Sequence, residues 1–180
     1  ISDEKISIVP HFIKSYGQQD THDKEDRFVF IGRLGKQKQV DHLIKSYNQF
    51  LKYGHQTKLA IYGADEQNQK QVILDLVKEY QIEDKVDLND FTKHPLEEFK
   101  KSKASLLTSE YEGFGLTVME SIEVGCPVIA YDVRYGPGEI IEHGENGYLV
   151  EPDNIEAFAA YMDKICLLYT SPSPRDRQKS

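Results

Sequence analysis

Apolar residues along this chain fall into two alternating rhythms. Short unbroken runs occur at Phe28 to Ile31, Leu59 to Tyr62, Val86 to Leu88, Ala104 to Leu107, Val128 to Tyr131 and Tyr148 to Val150. Between them, apolar positions recur at helical spacing: Val40, Leu43, Ile44, Tyr47, Phe50 and Leu51, then Val72, Ile73, Leu76, Val77 and Tyr80. Leu116 to Val124 forms another such stretch, and Ile155, Phe158, Ala159 and Met162 the last. The short runs predict buried strands and the wider period predicts helices with one apolar stripe. Pro95 opens a further short helix, and Gly54 is placed to cap the first. Strand and helix alternate throughout, which predicts an α/β fold with a doubly wound parallel sheet and right-handed crossovers. Ligands of such sheets bind outside the carboxyl ends of the strands, so the segments after Ile31 and Leu107 are the places to search.

The two ends break this rhythm. Residues 1–26 pass from Ile6, Ile8 and Val9 through Pro10 into a polar stretch and read as an inter-domain linker. Residues 27–165 form the expected domain. From Cys166 to Ser180 the chain turns to Ser, Pro and Arg without a usable period. Its run CLLYTSPSPRD reads as the conceptual translation of a transposon-type sequencing adaptor, so residues 166–180 are expected to be a non-native tail and the chain to be cut at both ends.

A length of 180 residues allows one hydrophobic core and not two full domains. The net charge of −8 argues against nucleic-acid binding, because a phosphate backbone is gripped by surplus Lys and Arg. No apolar stretch reaches the roughly 20 residues of a membrane span. With only Cys126 and Cys166, no Cys-x-x-Cys and no secretory leader at Ile1, a cytoplasmic location is expected and Cys126 is expected to be a buried packing residue.

Two segments carry chemistry. Gly32 to Lys38 (GRLGKQK) follows the first strand, where Gly32 permits a tight turn and Arg33 and Lys38 can converge on one anion. A solvated turn with surface cations fits that segment equally well. Glu112 to Glu120 (EGFGLTVME) places two carboxylates eight positions apart, one in a Gly-flanked loop and one on the following helix. Gly113 and Gly115 leave N–H groups open at a helix start, which favours a phosphate. Eight residues of helix would rise about 12 Å, comparable to the span from a donor sugar to its ribose, and a carboxylate can accept both hydroxyls of a vicinal diol. The bland reading leaves Glu112 on a surface loop and Glu120 on a solvated face, although an unpartnered carboxylate in so apolar a segment would be costly.

No Asp-x-Asp and no His-Glu-x-x-His occur, so no metal is expected. Neither Gly-x-Gly-x-x-Gly after the first strand nor a Walker phosphate loop is present, which removes the main support for dinucleotide and NTPase readings.

From about Ile8 to Ile165 the chain resembles the C-terminal donor-binding domain of the family-4 retaining glycosyltransferases, the Rossmann-like C-terminal half of the GT-B fold. The resemblance rests on FIGRLGKQKQVDHLI at Phe30 to Ile44 and on the Glu-x7-Glu of Glu112 and Glu120. It implies that Arg33 and Lys38 hold the donor diphosphate, with Gln39 standing where a glycine is common. It implies that Glu112 contacts donor-sugar hydroxyls, that Gly113, Phe114, Gly115 and Leu116 line the donor with backbone donors at Gly115 and Leu116, and that Glu120 binds the ribose diol. Glu112, Arg33 and Lys38 would thus be the catalytic groups. VPHF, KHPLEEF, Tyr135 to Ile141 and NGYLV look like the branch that glycosylates poly(glycerol-phosphate) teichoic acids, whose features are shared by accessory-secretion GlcNAc-transferases. The implied substrate is a UDP-sugar carrying glucose or GlcNAc, with no cofactor and no metal. The implied partner is an N-terminal acceptor domain of the same polypeptide, in a full protein that can associate peripherally with the inner face of the membrane. This chain alone is expected to be almost inactive. A non-catalytic partner subunit and a UDP-sugar epimerase of the same architecture are the alternatives.

Overall fold

The computed structural model describes residues 24–170. Six strands, β1 (Arg27–Ile31), β2 (Lys58–Tyr62), β3 (Val86–Asn89), β4 (Ala104–Leu107), β5 (Val128–Tyr131) and β6 (Gly147–Val150), form one sheet in the order β3-β2-β1-β4-β5-β6. Every pairing is parallel. The α-helices α1 (Val40–Leu51), α2 (Gln69–Glu79), α3 (Pro95–Lys101), α4 (Leu116–Glu123) and α5 (Pro137–Ile140) lie in the five crossovers, and α6 (Ile155–Thr170) follows the last strand and packs back on α1. The predicted doubly wound, Rossmann-like α/β sheet is therefore the observed one.

The sheet is covered on both faces, which is why its strands read as unbroken apolar runs. All four residues of β4 and of β5 are buried. On one face α1 sets Val40, Leu43, Ile44, Tyr47 and Phe50 against Phe28, Phe30, Leu59 and Ile61, with α2 and α6 in the same cluster. Each such side chain contributes about 1.5–3 kcal/mol when fully buried. On the other face Phe99 of α3 packs with Val29, Ala60 and Cys126, and Val118 of α4 packs with Leu107, Val128 and Ala130. Cys126 is fully buried, as expected, and burial raises its thiol pKa. Gly54 takes φ +93° and donates to Leu51 O, closing α1.

Two elements depart from expectation. The domain was expected to end at Ile165, yet α6 runs on to Thr170. Cys166 is buried, and Tyr169 packs on the same cluster while its hydroxyl donates to Lys103 O at 3.3 Å. The physical reason is that Cys166 and Tyr169 continue the helical series Phe158, Ala159, Met162 and Ile165. The short α5 was not expected, because a four-residue helix has no period to read. The linker expectation for residues 1–23 and the tail beyond Thr170 lie outside the described residues.

Gln39 links the turn after β1 to α1 with φ 43° and ψ 51°. That left-handed conformation is the reason a glycine is common there, since a Cβ is strained in it. Gln39→Gly is expected to change stability by no more than about 1 kcal/mol, in the stabilising direction, because relief of strain exceeds the entropy gained by the unfolded chain. Urea denaturation checks this, and any loss of stability in the variant would contradict it.

Candidate functional site

The strand order reverses between β1 and β4, so the loops leaving their carboxyl ends face each other across the switch point. They are sewn together. The Thr108 hydroxyl lies 3.0 Å from the carbonyl oxygens of both Lys38 and Gln39. Gln37 Nε2 donates to Tyr111 O at 2.6 Å, and Glu110 N–H donates to Gln37 O at 2.9 Å.

Across this seam Lys38 Nζ donates to Glu112 Oε1 at 2.6 Å. Only 14% of the Lys38 side chain and 10% of the Glu112 side chain are exposed, so neither charge has water enough to stand alone. Ser109 donates to the same Oε1 at 2.6 Å. Both of these contacts fall on Oε1, and an ammonium has three donors, of which Lys38 spends one on Glu112.

Beyond Glu112 the chain turns at Gly115, φ +74°, which caps the start of α4. A left-handed residue cannot continue a helix, so the path from Glu112 to Glu120 is loop for its first half and the 12 Å helical rise does not apply. No side chain caps the helix, and its first N–H groups remain open to an anion. Gly113, Phe114 and Leu116 are exposed beside them, with Phe114 50% exposed. Gly115 abuts Gly136 of the β5–α5 loop: a Cβ on Gly115 would meet Gly136 Cα at 3.3 Å, and one on Gly136 would meet Gly115 N at 3.2 Å.

Arg33 and Glu120 sit apart from that pair, on the wall of a cleft of about 450 Å³. Gly32, Tyr62, Gly63, Phe91, Thr92 and Lys93 are among its other lining residues. Glu120 is half-buried and its carboxylate has no hydrogen bond or ion pair among the described residues. Desolvation raises its pKa. Arg33 is exposed and pairs with Glu66 at 3.0 Å rather than joining Lys38. These eight residues therefore form a partly buried pair, an open helix start and a cleft wall, all at one end of the sheet.

The cleft's far wall escaped the sequence. Tyr62 ends β2, Gly63 and Ala64 follow it, and Phe91, Thr92 and Lys93 follow β3. The carboxyl-end rule that directed the search to the β1 and β4 loops applies equally to these. Tyr62 is fixed from behind: its hydroxyl donates to Glu98 Oε2 at 3.0 Å, and Arg27 donates to the same oxygen at 2.6 Å. Burial alone would raise the Glu98 pKa, but these two donors outweigh it and hold the carboxyl below its ordinary value. Among the described residues no three His, Cys, Asp or Glu gather as a metal site, and no helix is long and apolar enough to cross a membrane.

Known proteins are similar to this chain in sequence and fold. The chain is 37% identical over 128 residues to the poly(glycerol-phosphate) alpha-glucosyltransferase of Bacillus subtilis, covering 71% of this chain and 19% of that protein. It is 33% identical over 165 residues to the poly(ribitol-phosphate) alpha-N-acetylglucosaminyltransferase of Staphylococcus aureus, covering 92% of this chain and 32% of that one. Among solved structures, a mutant of S. aureus TarM in complex with fondaparinux, alpha-GlcNAc-glycerol and UDP superposes with a TM-score of 0.80 at 31% identity, over 86% of this chain and 31% of that chain. The pneumococcal O-GlcNAc transferase GtfA in complex with UDP and GlcNAc gives 0.71 at 31% identity, over 83% and 30%. The chain thus spans a third or less of the length of these relatives. The family described as "Glycosyl transferases group 1" matches residues 13–179, a span that includes every site residue named above. With its sheet, its switch-point site and that match agreeing, the chain belongs to the group 1 glycosyl transferases.

Proposed function

We propose that residues 27–165 act as the donor-binding domain of a retaining glycosyltransferase, moving glucose or GlcNAc from a UDP-sugar to a cell-envelope polymer or glycoprotein. The observation that carries this reading is the desolvated Lys38–Glu112 pair at the switch point, beside an open helix start. The base enters the cleft between Tyr62 and Phe91, and Glu120 accepts the ribose diol. Lys38, Arg33 and the N–H groups opening α4 meet the diphosphate, and no metal is invoked. Glu112 Oε2 receives a donor-sugar hydroxyl. Stabilising charge on the departing diphosphate is the main catalytic contribution of these groups. Glu112 is not assigned as a nucleophile, since its Oε1 is committed to Lys38 and Ser109. The acceptor domain lies on polypeptide outside this chain, so transfer by this chain alone is expected to be negligible. A cytoplasmic position at the inner face of the membrane fits such acceptors.

Calorimetric titration of UDP into the chain tests the donor site. Saturable binding is expected, weakened about ten- to hundredfold by Arg33→Ala or Glu120→Ala, the loss of one charge-assisted contact in each. Circular dichroism would establish that each variant is folded. A folded parent that shows no saturable binding would sink the proposal.

A further inference from the structure

One charge beside the cleft opposes the proposed ligand. Glu66, in the loop after β2, holds the Arg33 guanidinium at 3.0 Å on the wall of the cleft. Its place is fixed by backbone. Leu34 N–H donates to Ala64 O at 2.8 Å and Glu66 N–H donates to Leu34 O at 2.9 Å, a bridge that joins the β1 and β2 loops. Gly35 leaves room for the carboxylate, since a Cβ there would stand 3.2 Å from Glu66 Oε2. Gln67 and Asn68 follow in left-handed conformations, φ 58° and 59°, which turn the chain immediately after Glu66.

We propose that Glu66 is a specificity-determining residue that competes with the ligand diphosphate for Arg33 and so weakens the product nucleoside diphosphate more than the nucleotide-sugar donor. The inference rests on the donor-site reading above. Arg33 is 70% exposed and Glu66 43%, so their pair contributes little to stability and exchanges readily for a stronger anion. The displaced carboxylate stays tethered at the site and repels what replaced it. At neutral pH a terminal phosphate carries an additional charge that a sugar-esterified one lacks, because its second pKa is about 6. In a water-like dielectric, each added ligand charge about 6 Å from a carboxylate lowers affinity by about threefold. Glu66 thereby tilts the site toward loading donor and releasing product.

The test is titration of UDP, UDP-glucose and uridine into the parent chain and into Glu66→Gln, Glu66→Asp and Arg33→Ala. Glu66→Gln is expected to tighten UDP several-fold, UDP-glucose about threefold less than that, and uridine not at all. Glu66→Asp, which keeps the charge, should preserve the parental ranking, and added salt should erode the differences. Weaker or unchanged UDP binding in Glu66→Gln would overturn the proposal, as would equal tightening of uridine. If UDP affinity is unmoved by Glu66→Gln while Arg33→Ala still loses it, the donor site stands and only the role of Glu66 falls. A parent that binds no UDP removes both.

Discussion

Lys38→Met is expected to lower stability by about 3–5 kcal/mol, a fall in Tm of about 6–20 °C, and to remove UDP binding. The cost arises from what remains. With the ammonium gone, Glu112 would be a carboxylate only 10% exposed whose sole partner among the described residues is Ser109. Breaking a buried pair is far more damaging than never having one, because the survivor has lost its hydration without recompense. The double variant Lys38→Met with Glu112→Gln should accordingly recover at least half of the lost stability, since an amide oxygen can still accept from Ser109 and carries no charge. UDP binding should not return with it. Denaturation of the parent, both single variants and the double variant provides the cycle. A single variant costing less than 1 kcal/mol, or a double variant whose losses simply add, would show that the pair is not energetically coupled.

Gly63→Ala is expected to cost about 4 kcal/mol or more, in the range reserved for core strain. A Cβ at this position would stand 2.0 Å from the carbonyl oxygen of Gly32 and 3.1 Å from Leu34 Cγ. The first obstacle is backbone and cannot rotate away. It belongs to the turn that donates Gly32 N–H to Tyr62 O and carries Arg33, so relief must move the cleft wall. Nucleotide affinity should fall together with stability. Gly113→Ala is the control: a Cβ there meets nothing within 4 Å, and the stability change should stay within about 1 kcal/mol. Urea midpoints decide, with an unchanged slope marking a true loss of native stability.

Burial controls how much of this is visible in the sequence. The strands are legible to within a residue because both faces of the sheet are covered, so β4 and β5 read as four consecutive buried residues each. α1 is legible because its buried positions keep the helical period over three turns. What is not legible is conformation without composition. Nothing about a glutamine announces the left-handed φ of Gln39, and α5 is too short for a period. At the Cys166 boundary a change in composition drew attention away from an apolar spacing that continues to Tyr169. For the site, the residues belonging to dense motifs are found, and Lys38 and Glu112 do meet. Phe91, Thr92 and Lys93 form no spaced chemical motif, and only the topology gives them a cleft to line. Glu66 is one of 30 acidic residues, and its distinction is its place over Arg33.

The abutting Gly115 and Gly136 have a consequence for altering this protein. Both adopt positive φ, and each fills the space a side chain of the other would need. The two loops are therefore a single moulded part, cast from segments more than 20 positions apart in sequence. Segment 132–140 exchanged alone with a relative would arrive against a counterpart shaped for another partner, and Glu112, whose Cβ a side chain on Gly136 would meet at 3.4 Å, would inherit the misfit. Specificity grafts in this scaffold have to carry both loops across together.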